Sequence, residues 1–249
     1  MSRRGISFFC LVAEYINHVL RLAPFMQINW ETIPGYSELV SGFLCEMESR
    51  DIKRYPDSLK EASVRLLCNE DLLNIQVRLL FRKTNIHLPM TVLKTLELLD
   101  SYFSYFSRSN RVRLPACFDY KNFYAGLRIL LNSDHSFVVT RTLSLIYHHY
   151  QLFSTSFRRD LSFCLMGQVF FKLFLSWCGN IRMMFRHILH YRVQRDITCV
   201  DQGMNSNTSF GKMRSTVNLT LPSCGLNEMQ ADEIRCRMTT VMNILENSL

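Results

Sequence analysis

The sequence predicts an all-α protein, an irregular stack of helical hairpins of the armadillo or HEAT α-solenoid kind. Three observations predict it. Apolar residues recur at spacings of three and four along most of the chain. Short clusters of Asn, Ser, Asp, Gly and Pro separate these periodic segments. No run alternates cleanly with period two between hairpin turns, Phe137-Val138-Val139-Thr140 having only local β-propensity. About nine helices paired by short turns fit such a stack better than a four-helix bundle. The pair starts near 58, 119 and 157 are unevenly spaced, so the stack is expected to be irregular.

Taken in order, Arg3 and Arg4 precede the apolar run Ile6 to Ala13, which Glu14 interrupts without a small-residue cleavage site. That predicts an amphipathic first helix in place of a signal peptide. After Pro56, Ser58-Leu59-Lys60-Glu61 reads as a capping box opening a helix to about Arg82, with Ala62, Leu66, Leu73, Val77 and Leu80 on one stripe. Asn85 to Pro89 breaks it, and a helix from about Met90 to Ser107 should return antiparallel, carrying Val92, Leu96, Leu99, Phe103 and Phe106. Beyond a basic connector from Arg108 to Pro115, Asp119 caps a helix through Phe123, Leu127, Leu130 and Leu131. Asn132 to Ser136 supplies a turn in which Asp134 is the expected next cap. Helices over Phe137 to Phe153, Phe157 to Trp177 and Ile181 to Ile197 follow, the last two separated by Cys178-Gly179-Asn180. These elements form one helical domain over 1–200. A polar stretch over 201–226 reads as a flexible linker, and Asn227 with Gln230 caps a last amphipathic helix over 227–249.

Composition sets the class. With 249 residues, 48% hydrophobic and 20% charged, the chain is neither disordered, collagen-like nor a small disulfide scaffold. Its excess charge of +8 is concentrated: Arg108 to Arg195 holds 13 Lys and Arg against 3 Asp and Glu. Such a field attracts acidic protein, anionic lipid or nucleic acid without choosing among them. Nine cysteines with no C-x-x-C pair read as reduced, mostly buried thiols in a cytosolic protein. The best membrane-span candidate, Leu161 to Trp177, has seventeen residues and includes Gln168 and Lys172, which favours a central buried helix instead.

The helix from Ile181 carries the sharpest constellation. At 100° per residue Arg182, Arg186 and His190 fall within about 80° of arc, and Ile181, Phe185, Ile188 and Leu189 form the apolar face. Arg192 and Arg195 extend this basic face, and Arg111 and Arg113 in the connector supplement it. A docking surface for phosphate or carboxylate groups is the functional reading, and a solvated outer face is the structural one. His187 and His190 lack a specified third metal ligand. Phe170, Phe171, Phe174 and Trp177 have the helical spacing of core residues rather than of a nucleic-acid stacking platform. No G-x-S-x-G, P-loop, H-E-x-x-H or kinase signature occurs, so no catalytic residue, metal or cofactor is expected.

The segments Leu114-Pro115-Ala116-Cys117-Phe118-Asp119-Tyr120, Leu130-Leu131-Asn132-Ser133-Asp134-His135, Leu145-Ile146-Tyr147-His148, Phe170 to Trp177, Ile181-Arg182-Met183-Met184-Phe185 and Leu189-His190-Tyr191-Arg192 resemble, over about 115–195, a eukaryotic family called domain of unknown function 1765. The resemblance implies an α-helical scaffold, occasionally membrane-associated, and supplies no catalytic residues. Members are typically longer, implying a short member or a fragment. The expected function is a non-catalytic cytoplasmic scaffold whose basic face selects acidic protein partners. Its alternative is a peripheral membrane protein docking on anionic lipid through the same face, with nucleic acid and small-molecule substrates disfavoured.

Overall fold

Apolar periodicity is converted into helix along most of the chain. The computed structural model describes residues 3–22, 28–109 and 113–194, which form ten α-helices with no strand among the described residues. The linker over 201–226, the helix over 227–249 and the residues Arg111 and Arg195 lie outside that set. The chain divides into two compact units, Met1–Ser154 and Thr155–Leu249.

In the first unit, α1 (Arg3–Leu22) buries Phe9, Val12 and Ile16, and α2 (Tyr36–Ser49) buries Tyr36, Val40, Phe43 and Met47. Gly35 precedes α2 with φ of 76°, a left-handed conformation that a residue with a Cβ adopts only at a cost. The single helix expected over 58–82 is two, α3 (Asp57–Arg65) and α4 (Leu72–Lys83), separated by a 3₁₀ turn at Leu66–Cys68. Asn69 ends that 3₁₀ turn. Its backbone turns extended, its side-chain oxygen accepts from the Asp71 amide at 3.2 Å, and its amide nitrogen donates to the Tyr36 hydroxyl at 2.9 Å. The capping box also fails, because α3 starts ahead of Ser58 with Pro56 at the cap and no side-chain cap bond, leaving the Ser58 hydroxyl buried without a hydrogen bond.

Pro89 opens α5 (Pro89–Arg108), where its missing N–H costs nothing. Asp119 caps α6 (Tyr120–Leu131) as expected, accepting from the Asn122 amide at 3.1 Å, while Arg78 pairs with its other oxygen at 3.1 Å. Asp134 is not the next cap. That position belongs to His135, whose carbonyl accepts from the Val139 amide at the start of α7 (Ser136–His149). A 3₁₀ turn at Tyr150–Leu152 ends the unit's regular structure.

The helices of this unit pack in two series. α1 lies on α3, α3 on α5 and α5 on α7, while α2 lies on α4 and α4 on α6; contacts of α1 with α2, α4 with α5 and α6 with α7 join the series. At the centre, the Phe103 ring meets Phe123 at 5.5 Å, Phe153 at 5.8 Å and Phe118 at 6.3 Å, edge to face.

The second unit begins with α8 (Thr155–Phe163). The continuous helix expected over 157–177 does not form. A π-helical turn at Cys164–Gln168 closes when the Val169 amide donates to the Cys164 carbonyl, and only a short α9 (Phe170–Phe174) follows. α10 (Gly179–Ile188) runs into a second π turn at Leu189–Val193. No described helix is long and apolar enough to cross a membrane. Phe170, Leu173, Ile181, Phe185 and Ile188 are buried.

Candidate functional site

An open groove of about 690 Å³ lies at the turn end of the first unit. The loop between α4 and α5 contributes Ile86 and His87, α6 contributes Ala125, Arg128 and Ile129, and the loop between α6 and α7 contributes Asn132 to His135. Both loops reach one end because α4 packs on α6 and α5 packs on α7, so alternate turns of the stack fall together. The local sequence explains the opening. Asn85 folds its own loop, its side-chain oxygen accepting from the His87 amide at 2.9 Å, and this holds Ile86 outward with its side chain exposed. On α6 the apolar stripe that includes Phe123, Leu127 and Leu130 turns inward, which leaves Arg128 and Ile129 exposed on the opposite face.

The groove is mixed in character. Ile86 and Ile129 are exposed apolar groups, with Leu88, Met90 and Phe137 also exposed close by in sequence. Arg128 provides the fixed cation, its guanidinium 5.9 Å above the Tyr124 ring, and His87 and His135 add imidazoles. Asp134 is the one carboxylate among the groove residues.

The described basic residues singled out from sequence fall in both units. The Arg182 guanidinium donates to the carbonyls of Ser176 at 2.5 Å and Trp177 at 3.1 Å, fastening the turn before α10. Arg186 lies over the Phe174 ring at 5.4 Å, and its Nε is buried without a hydrogen bond. His190 is half-buried against Tyr191, with ring centroids 4.6 Å apart and Nδ1 buried without a hydrogen bond, and Arg192 is half-buried as well. Arg113, in the connector, is exposed. Arg182, Arg186, His190 and Arg192 share one stretch of helix in the second unit, whereas Arg113 belongs to the first.

The aromatic run also departs from a uniform core. Phe170 is buried, but Phe171 and Trp177 are exposed. The cysteines are less buried than expected: Cys10, Cys45 and Cys117 are exposed, Cys68 and Cys178 intermediate, and of the described thiols only Cys164 is buried. No group of three or more His, Cys, Asp or Glu side chains converges as a metal site among the described residues.

A partly buried polar pair lies apart from the groove. His149 Nε2 is 2.8 Å from Asp100 Oδ1, and Arg141 reaches the other Asp100 oxygen at 3.4 Å. Burial lowers the pKa of His149 below the ordinary imidazole value, outweighing the opposite pull of Asp100. At neutral pH a neutral imidazole therefore donates from Nε2 to a carboxylate, and its Nδ1 is buried without a partner.

Sequence reasoning passed over the groove. Its available signal was two Asn-marked turns, Asn85 to Pro89 and Asn132 to Ser136, each carrying a histidine and flanked by apolar residues unsuited to a solvated loop.

Fold and groove define an all-α protein of stacked helices with an open, mixed apolar and basic cleft. Residues 73–193, just under half of the chain, match the model of the family described as protein of unknown function (DUF1765). That segment begins within α4 and includes every groove residue together with Arg182, Arg186, His190 and Arg192. It extends the resemblance read over 115–195 toward the N-terminus by two helices. Neither a curated protein nor a solved structure matches the chain.

Proposed function

We propose that the protein is a non-catalytic, armadillo-like scaffold that holds an acidic, apolar-anchored segment of a partner protein in the groove between the two turns. The observation that carries this reading is the pairing of exposed Ile86 and Ile129 with Arg128, His87 and His135 in one opening. The two series of helix contacts, α1 to α7 by odd steps and α2 to α6 by even steps, support the solenoid description, since each hairpin then leans on the next. The basic excess from Arg108 to Arg195 supports an acidic partner. Free thiols throughout the described residues support a cytoplasmic site of action.

Site-specific photo-crosslinking in cells tests it. A photoreactive amino acid at Ile129 is expected to give a discrete heteromeric adduct, weakened at least about fivefold by Arg128→Glu, as loss of a charge-assisted contact requires. The same probe at exposed Glu61 on α3 is expected to give none. An adduct only with a second copy of the chain, or equal adducts from both positions, overturns the reading.

A further inference from the structure

We infer that the turn joining α9 to α10 is a docking tip for an anionic lipid bilayer, an interaction surface separate from the groove. Phe171, Leu175 and Trp177 are 54%, 70% and 83% exposed, three large apolar side chains within seven residues. Exposed apolar residues scattered singly are ordinary; three gathered within seven residues are not. Exposed to this degree, the side chains suit a soft apolar medium better than a tight protein pocket.

The tip is held stiffly. The Leu175 amide donates to the Phe171 carbonyl at 3.0 Å, which keeps these two residues on one side of the helical turn. Arg182 binds the carbonyls of Ser176 and Trp177, and the Ser176 hydroxyl accepts from the Cys178 amide at 3.3 Å. Behind the turn, Phe170 stacks on Phe174 at 5.2 Å and meets Phe185 edge-on at 5.9 Å. The inward aromatics thus anchor the segment and the outward ones are presented by it. Little conformational entropy remains to be lost on insertion.

Charge selects the occupant. Over 155–194 there are six Lys and Arg against one Asp, with Lys172 exposed beside Phe171 and the Arg182 guanidinium at the turn itself. Trp prefers the headgroup boundary, Leu and Phe the acyl chains beneath it, and cations the phosphate and serine groups above. The Arg182 clamp gives that arginine a structural role, so the apolar tip, with Lys172, makes first contact. The inference does not depend on the partner groove in the first unit.

Tryptophan fluorescence of the full chain provides the test, because Trp30 and Trp177 are its only indoles. In Trp30→Phe, vesicles of phosphatidylcholine with about one third phosphatidylserine are expected to shift Trp177 emission to the blue and to bring it within reach of shallow brominated lipids. Subtracting Trp177→Phe from wild type reads the same indole should Trp30→Phe not fold. Leu175→Ser with Trp177→Ser should lower vesicle flotation on the order of tenfold or more. Lys172→Glu and added salt should each weaken flotation, whereas Ile129→Asp in the groove should leave it unchanged. Unaltered Trp177 emission with anionic vesicles, flotation of the double serine variant at the wild-type level, or equal binding to purely zwitterionic vesicles overturns the inference. Trp177 emission that instead shifts only on binding another protein overturns it as well.

Discussion

At the scale of single residues, unusual polar placements account for most of what periodicity could not convey. Lys83 reaches from α4 into the end of α2, where its ammonium donates to the carbonyls of Met47 at 2.8 Å, of Glu48, and of Arg50. These are carbonyls that the last turn of a helix leaves without intrahelical donors. Burial lowers the Lys83 pKa, yet three acceptors hold the charge in place. Asp119 was legible as a cap because Asp followed by a helical stripe is a local signal. The Lys83 contact was not, because its two halves lie more than thirty residues apart in sequence. The same holds for His149 and Asp100, which are separated by 49 positions.

His149 makes a pH prediction. Its folded pKa lies below the ordinary value of 6.5, so the unfolded chain binds this proton first as pH falls. Stability contributed by the neutral imidazole is present above that value and is lost as pH drops below it. Chemical denaturation is expected to show a falling midpoint from about pH 7 to about pH 5, and His149→Asn should flatten that part of the curve even where it lowers overall stability. A slope unchanged in the variant would assign the acid sensitivity to other groups.

Among the elements, amphipathic stripes specified α5 and α6 closely, because each buries one face and starts at a clear punctuation residue. The breaks in the predicted helices over 58–82 and 157–177 were hidden for different reasons. Asn69, which ends the 3₁₀ turn after α3, pairs with Tyr36, a tertiary contact across 33 residues whose polar partner sits in a buried environment that raises the phenol's pKa to about 12. The π turn at Cys164–Gln168 adds one residue to a turn, which shifts the apolar stripe without interrupting it. Hydrophobic spacing registers neither event.

Helix approach supplies the next prediction. Phe81 on α4 stacks on Phe123 of α6 at 6.0 Å with planes 5° apart, and a Cβ placed on Gly126 would come within 2.5 Å of the Phe81 ring. Gly126 therefore lets the two helices close. Gly126→Ala gains helix propensity of about 1 kcal/mol but must displace a ring already packed against its neighbour, at a cost of about 1–3 kcal/mol. Net destabilisation is expected in thermal unfolding, with disturbed near-ultraviolet signals from the aromatic cluster; an unchanged or raised Tm would contradict the close approach.

For the molecule as a whole, the division after Ser154 was the least visible feature in sequence. Alternating helices and turns run through residues 155–194 as they do before, so composition gives no boundary there. What separates the units is contact density, a property of the folded chain. The first unit holds its own aromatic centre around Phe103 and both series of helix contacts. A chain of residues 1–154 is accordingly expected to unfold cooperatively in urea and to retain strong helical circular dichroism. Gradual loss of signal without a transition would show that this unit needs the remainder of the protein. The family segment over 73–193 crosses this division, so matching sequence and compact unit are different partitions of one chain.

The graded exposure of the thiols has a practical corollary. Cys10, Cys45 and Cys117 face solvent in the first unit, while Cys164 is enclosed in the π turn of the second. An alkylating reagent consequently meets three positions at the pace of exposed thiolate chemistry and the fourth at the pace of structural opening. Read peptide by peptide, the lag between them is a stopwatch carried inside the protein, started by its own surface and stopped by the loosening of its second half.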